Sequence, residues 1–93
     1  MNRYATLIID QYDVPRYLAV DNNEFVFVAD VINQLVTLLS PTLDYKRQVV
    51  SRDDLKGRPR SLCLDIHRRR LYVSDNEWKY DKYLAGRVVV FGV

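Results

Sequence analysis

The apolar positions of this chain fall in short runs rather than in helical stripes. Tyr17–Val20, Phe25–Ala29, Gln34–Leu39 and Tyr45–Val50 are rich in the β-branched and aromatic side chains that strands favour. Ser61–Leu64, Leu71–Ser74 and Arg87–Phe91 follow in the second half. Turn-forming pieces separate them: Asn22-Asn23-Glu24, Ser40-Pro41-Thr42 and the stretch from Asp53 to Pro59. The connections are too short for the helical crossovers that parallel strands require, so antiparallel meanders are predicted. In the second strand Phe25, Phe27 and Ala29 project to one face, Val26 and Val28 to the other. Both faces are apolar. A sheet with one wet face alternates apolar with polar, so these sheets are expected to lie sandwiched between neighbours.

The chain also repeats itself. Pro15-Arg16-Tyr17-Leu18-Ala19-Val20-Asp21 matches Pro59-Arg60-Ser61-Leu62-Cys63-Leu64-Asp65, with Pro, Arg, Leu and Asp shared in register at an offset of 44. Phe27-Val28-Ala29-Asp30 matches Tyr72-Val73-Ser74-Asp75 at an offset of 45, the second turn holding one extra residue. A strand-rich unit of that length reads as one propeller blade. The expected fold is all-β: two consecutive four-stranded antiparallel propeller blades, a partial β-propeller, with one flanking strand from a preceding blade. Residues 1–14 end that preceding blade, with the strand at Tyr4–Ile9. Residues 15–58 form the first full blade, and residues 59–93 the second, incomplete one.

These residues resemble the NHL repeat. The family's unit is similar to a proline opening an apolar strand that ends in Asp, then a strand ending in Val-x-Asp, then an Asp-x-x-Asn-x-Arg-Val motif leading into the third strand. Pro15, Asp21, Val28, Asp30, Asn33 and Val36 match in the first repeat; Pro59, Asp65, Val73, Asp75, Arg87, Val88 and Phe91 match in the second. The resemblance covers about Pro15 to Val93. Leu35 stands where the family tends to have Arg, and Asn76–Gly86 reads as an insertion before Arg87. Leu64–Asp75 also resembles the YWTD propeller repeat; the Asn33 match and the single cysteine favour NHL. The resemblance implies a closed ring, commonly of six blades. Two blades alone leave apolar faces and strand edges open, so either the remaining blades of a longer chain or self-association is expected to complete the ring. Of the two, a fragment of a longer chain is the preferred reading.

Composition changes this picture little. Of the 93 residues, 48% are hydrophobic and 28% charged, which excludes a disordered chain. Fourteen basic residues against 12 acidic ones give a net charge of +2, too small to argue for nucleic acid by itself. The longest apolar run, Phe25–Ala29, is far short of a membrane span, and the N-terminus lacks the apolar stretch of a signal peptide. One cysteine, Cys63, allows no internal disulfide and no thiolate zinc site. A cytoplasmic protein without membrane, metal or cofactor is expected.

The candidate chemistry is sparse. His67 lies in the run His67-Arg68-Arg69-Arg70 at a hairpin tip, where a solvated turn is expected rather than a catalytic base. Cys63 alternates within an apolar strand and is expected to be a small core residue. The recurring Asp21, Asp30, Asp65 and Asp75 are read, with Pro15, Asn33 and Pro59, as structural: such carboxylates accept hydrogen bonds from turn amides. In a meander the connection between blades and the connection between second and third strands share one end. That end collects Arg52, Asp53, Asp54, Lys56 and Arg58, with Arg87, then Trp78, Lys79, Tyr80, Lys82 and Tyr83, the last run interleaving aromatics with cations. Such a surface suits a protein partner or single-stranded RNA. The resemblance implies a non-catalytic interaction module, as in the substrate-selecting part of tripartite-motif ubiquitin ligases, with the ligase function on a RING domain elsewhere. The alternatives are RNA binding by the same face and an enzyme propeller of the lyase or lactonase kind.

Overall fold

A computed structural model describes residues 15–79 and 82–93. Four strands follow one another in an antiparallel meander: β1 (Pro15–Val20), β2 (Val26–Asp30), β3 (Leu35–Leu39) and β4 (Tyr45–Val50). A single 3-10 turn, Arg52–Asp54, leads into a second meander of β5 (Gly57–Asp65), β6 (Arg70–Lys79) and β7 (Lys82–Gly92). The described chain is thus all-β, in two open sheets of four and three strands. The flanking strand expected within residues 1–14 lies outside the described residues.

The second sheet holds the three strands read from the sequence for an incomplete unit, and two expectations change. The stretch Asn76–Gly86 is no looped insertion: Asn76 pairs with Gly86, Trp78 with Tyr83 and Lys79 with Lys82, so β6 and β7 run on as a long hairpin past a bulge. Its Trp and Tyr residues are good strand formers, and pairing a hairpin requires no apolar face. The turn expected up to Pro59 is shorter, because β5 already begins at Gly57. Pro59 is tolerated inside a strand because β5 is an edge of its sheet, and a register shift follows it at once. Pro15 opens the other edge strand, β1, in the same way, with a shift between Pro15 and Tyr17.

The sequence repeat is also a repeat of register. Pro15 faces Asp30 as Pro59 faces Asp75, and Leu18 faces Val28 as Leu62 faces Val73. Asp30 faces Leu35 as Asp75 faces Arg87, so Leu35 and Arg87 occupy equivalent places. The two sheets are two copies of one plan.

They pack face to face, β5 lying across β1 and β2. Phe27, Ala29, Val36 and Val50 of the first sheet, Leu55 of the connection, and Leu71 and Val73 of the second form one buried cluster. Tyr17, Ala19, Leu38, Leu62, Leu64, Phe91 and Val93 close around it. Cys63, expected in the core, is exposed instead. It sits one residue from both Leu62 and Leu64, so strand alternation turns it to the uncovered face of the sheet.

The turns are tight and hold side chains in the left-handed region without glycine. Glu24 has φ 68° and Arg69 φ 53°, each closing the turn between the first two strands of its sheet. Gln34 (φ 55°) and Leu43 (φ 68°) close the next turns of the first sheet. A left-handed residue other than Gly or Asn costs about 1–2 kcal/mol. Glu24 is exposed and makes its turn bond through the backbone, its N–H donating to the Asp21 carbonyl at 3.1 Å. Glu24→Asn should therefore stabilise the fold by about 0.5–1 kcal/mol, measured as a rise in the urea midpoint at unchanged m-value. Glu24→Val should destabilise it.

Candidate functional site

The recurring aspartates hold the turns, each in its own way. Asp21 is buried; its Oδ1 accepts the N–H groups of Asn23 (2.8 Å) and Phe25 (3.0 Å), which the tight turn leaves without strand partners. Asp30 accepts the Asn33 amide at 3.1 Å and the Asn33 side-chain Nδ2 at 2.8 Å. Asp65 accepts the Arg68 N–H at 3.2 Å and its Nη1 at 3.0 Å. The Arg68 backbone and side-chain hydrogen bonds, in that order, hold the Asp65 carboxyl below the usual carboxylate range.

Asp75 does something different. Its side chain is fully buried and receives Arg87 through a fork, Nε to Oδ1 at 3.0 Å and Nη2 to Oδ2 at 3.2 Å. The backbone N–H of Lys56 donates to Oδ2 at 2.9 Å, and Arg87 Nη2 also reaches the Asp54 carbonyl at 3.3 Å. One ion pair thus clamps the inter-sheet connection onto the second sheet. The other half of that connection is tied to the first sheet, Arg52 Nε donating to the Asn33 carbonyl at 3.2 Å. Between the two ties, Asp54 accepts the Ser51 N–H (2.8 Å) and hydroxyl (3.0 Å), and Leu55 plugs into the core. Where the first sheet has Leu35 in place of Arg87, Asp30 turns to Asn33 instead.

The sequence-predicted surface is therefore brought together in part. Arg52, Lys56 and Arg58 are exposed on the connection and the start of β5. Arg87 belongs to the same end, but its guanidinium is engaged by Asp75 and Asp54, so it positions the connection. Trp78, Lys79, Lys82 and Tyr83 lie on the β6–β7 hairpin by backbone register; their side chains, and Tyr80 altogether, lie outside the described residues. His67 is exposed in the β5–β6 turn, at the opposite end of the sheets. No group of His, Cys, Asp and Glu suited to a metal ion occurs among the described residues. No helix among them is long and apolar enough to cross a membrane.

Sequence reasoning missed a second feature at that opposite end. A cleft of about 190 Å³ opens between the sheets, lined by Asp21, Asn23, Phe25, Arg47 and Arg69, with Phe27 and Leu38 at its floor. Arg69 reaches across it: its Nη1 lies 3.9 Å from Asp21 Oδ2, and its Nε donates to the Val93 carbonyl at 3.2 Å. Nothing in the sequence marks Arg47 as its neighbour, because residues 47 and 69 meet only once the sheets stack.

Two outcomes follow from these contacts. Arg87→Leu, which copies the first sheet's Leu35, leaves a buried carboxylate without its cation and should cost about 2–4 kcal/mol in denaturant melts. Asp75→Asn in that background should recover part of the loss. Asp65 has a depressed folded-state pKa, so its contribution to stability is present above the unfolded value near 4 and lost as pH falls through the lower folded value. In an NMR titration of Arg68→Ala the Asp65 carboxyl should move only part of the way back up, since the backbone N–H of residue 68 remains.

Comparison with known proteins finds no family model, no curated protein and no solved structure that matches the chain.

Proposed function

We propose that this chain is a non-catalytic binding module of the β-propeller type that presents its inter-sheet connection to a protein partner. The observation that carries this reading is the clamped connection. Three exposed cations, Arg52, Lys56 and Arg58, stand on a segment fixed to one sheet by Asn33 and to the other by Asp75 and Arg87. A loop whose backbone is already ordered loses little entropy on binding, which favours recognition. The NHL-like order of motifs supports the same reading, since the resemblance implies a ring whose loops select a partner, as in tripartite-motif ligases. Arg52, Lys56 and Arg58 outnumber the exposed Asp53 and Asp54 on this segment, which favours a partner segment carrying Asp and Glu, with charge complementarity setting on-rate and register.

Fluorescence anisotropy with a labelled poly-glutamate peptide and a labelled oligouridine tests the reading. The expected result is binding of the acidic peptide that weakens on the order of tenfold in Lys56→Glu/Arg58→Glu, a double charge reversal on exposed positions. Absence of peptide binding, or binding indifferent to the reversal, overturns it. Tighter, steeply salt-dependent binding of oligouridine replaces it with single-stranded RNA recognition.

A further inference from the structure

The cleft between the sheets has an apolar floor and two arginines in its lining. The floor belongs to a row across the first sheet. Phe27 pairs with Leu38 and Leu38 with Arg47, so all three side chains project from the face that packs the core. Arg47 ends this apolar row with a guanidinium. It is exposed, and among the described residues it makes no hydrogen bond or ion pair.

Arg69 comes to the same cleft from the β5–β6 turn and is held in place at two points. Its Nε donates to the Val93 carbonyl at 3.2 Å, and its own carbonyl accepts the Val93 N–H at 2.9 Å. The far end of its guanidinium is less engaged: Nη1 stands 3.9 Å from Asp21 Oδ2, beyond hydrogen-bond reach. The second sheet shows what a closed pair looks like. There Asp65 takes Arg68, three residues on, at 3.0 Å. The residue three after Asp21 is Glu24, which carries the same charge and cannot close on it. Asp21 spends Oδ1 on the amides of Asn23 and Phe25. The cleft therefore sets two guanidiniums against one side-chain carboxylate that is already partly used.

We propose that this cleft binds a small organic acid, a single carboxylate on a flat apolar body such as an aryl ring. The carboxylate takes the open nitrogens of Arg47 and Arg69, the pairing that a planar guanidinium favours. The ring lies on Phe27 and Leu38, with Phe25 beside it. The size agrees: the cleft holds about 190 Å³, and a void of roughly 150 Å³ is enough for a benzene ring. An inorganic anion fits the floor poorly, because it loses hydration there without gaining a partner. A second carboxylate on the ligand meets the charge of Asp21. The cleft lies at the end of the sheets away from the clamped connection, so the proposal stands apart from what that segment binds.

Titration of the isotope-labelled full chain with benzoate, followed by NMR amide shifts, tests it. Benzoate should move the amides of Asn23, Phe25 and Arg69 and saturate at about millimolar concentration or below. Benzyl alcohol has the ring without the charge, and inorganic phosphate the charge without the ring. Each should bind the parent chain at least about tenfold more weakly than benzoate does. Arg47→Met keeps an apolar stem at an exposed position and removes the cation, and should weaken benzoate on the order of tenfold. Lys56→Glu/Arg58→Glu should bind benzoate as the parent does. No saturable shift up to about 50 mM benzoate overturns the proposal. So does benzyl alcohol or phosphate binding as tightly as benzoate, a comparison made on the parent chain alone. Undiminished binding by Arg47→Met, with circular dichroism showing it folded, overturns it too.

Discussion

Apolar side chains on both faces of the sheets are the constraint from which the rest of this structure follows. A sheet with Phe27 and Ala29 on one side and Val26 and Val28 on the other has no face suited to water. Stacking a second sheet on it buries one of the two faces, and the joint core of Phe27, Val36, Val50, Leu71 and Val73 is the result. Loss of an aromatic such as Phe27 from such a core typically costs about 3–5 kcal/mol, a large part of the stability of any small domain. Outside that joint, Leu18 and Val20 of the first sheet and Val88 and Val90 of the second remain exposed, while Val28 and Leu39 on the far side of the first sheet are buried.

The polar residues solve the problem that this stacking creates at the sheet ends. Tight turns leave amides unpaired, and the carboxylates of Asp21, Asp30 and Asp65 accept them. The connection between sheets has a harder task, because it must cross from one sheet to the next while sealing the core with Leu55. The buried Asp75 with Arg87 and the Lys56 amide holds it there. No buried side-chain polar atom among the described residues is left without a partner, so the pair is fully compensated rather than a stored cost. The same fixation turns Arg52, Lys56 and Arg58 outward on a rigid segment, joining the needs of the fold to the surface proposed for binding.

Much of this was legible in the residues. The repeat placed the first meander strand by strand, because Pro-to-Asp spacing and β-branched runs are local signals. The NHL resemblance, rather than the repeat, put Leu35 where an Arg is usual; the register pairs Leu35 with Asp30 as it pairs Arg87 with Asp75. The long β6–β7 hairpin was not legible, since its charged and aromatic residues carry no alternation and read as an insertion. Cys63 misled for a related reason: periodicity says that a residue alternates with Leu62 and Leu64, but not which face the neighbouring sheet covers. The Arg47–Arg69 cleft is a product of stacking and leaves no mark in either strand alone.

The central claim is that the two sheets form one stacked unit through a shared core. Native-state hydrogen exchange reads this directly, because amides that open together share one free energy. The slowest amides of β2 and β3 should match those of β6 around Leu71 and Val73 to within about 1 kcal/mol, and both sets should fall together in Phe27→Ala. Exchange of the second sheet with an opening free energy lower by about 2 kcal/mol or more, unmoved by Phe27→Ala, would show that the sheets fold separately and would contradict the account.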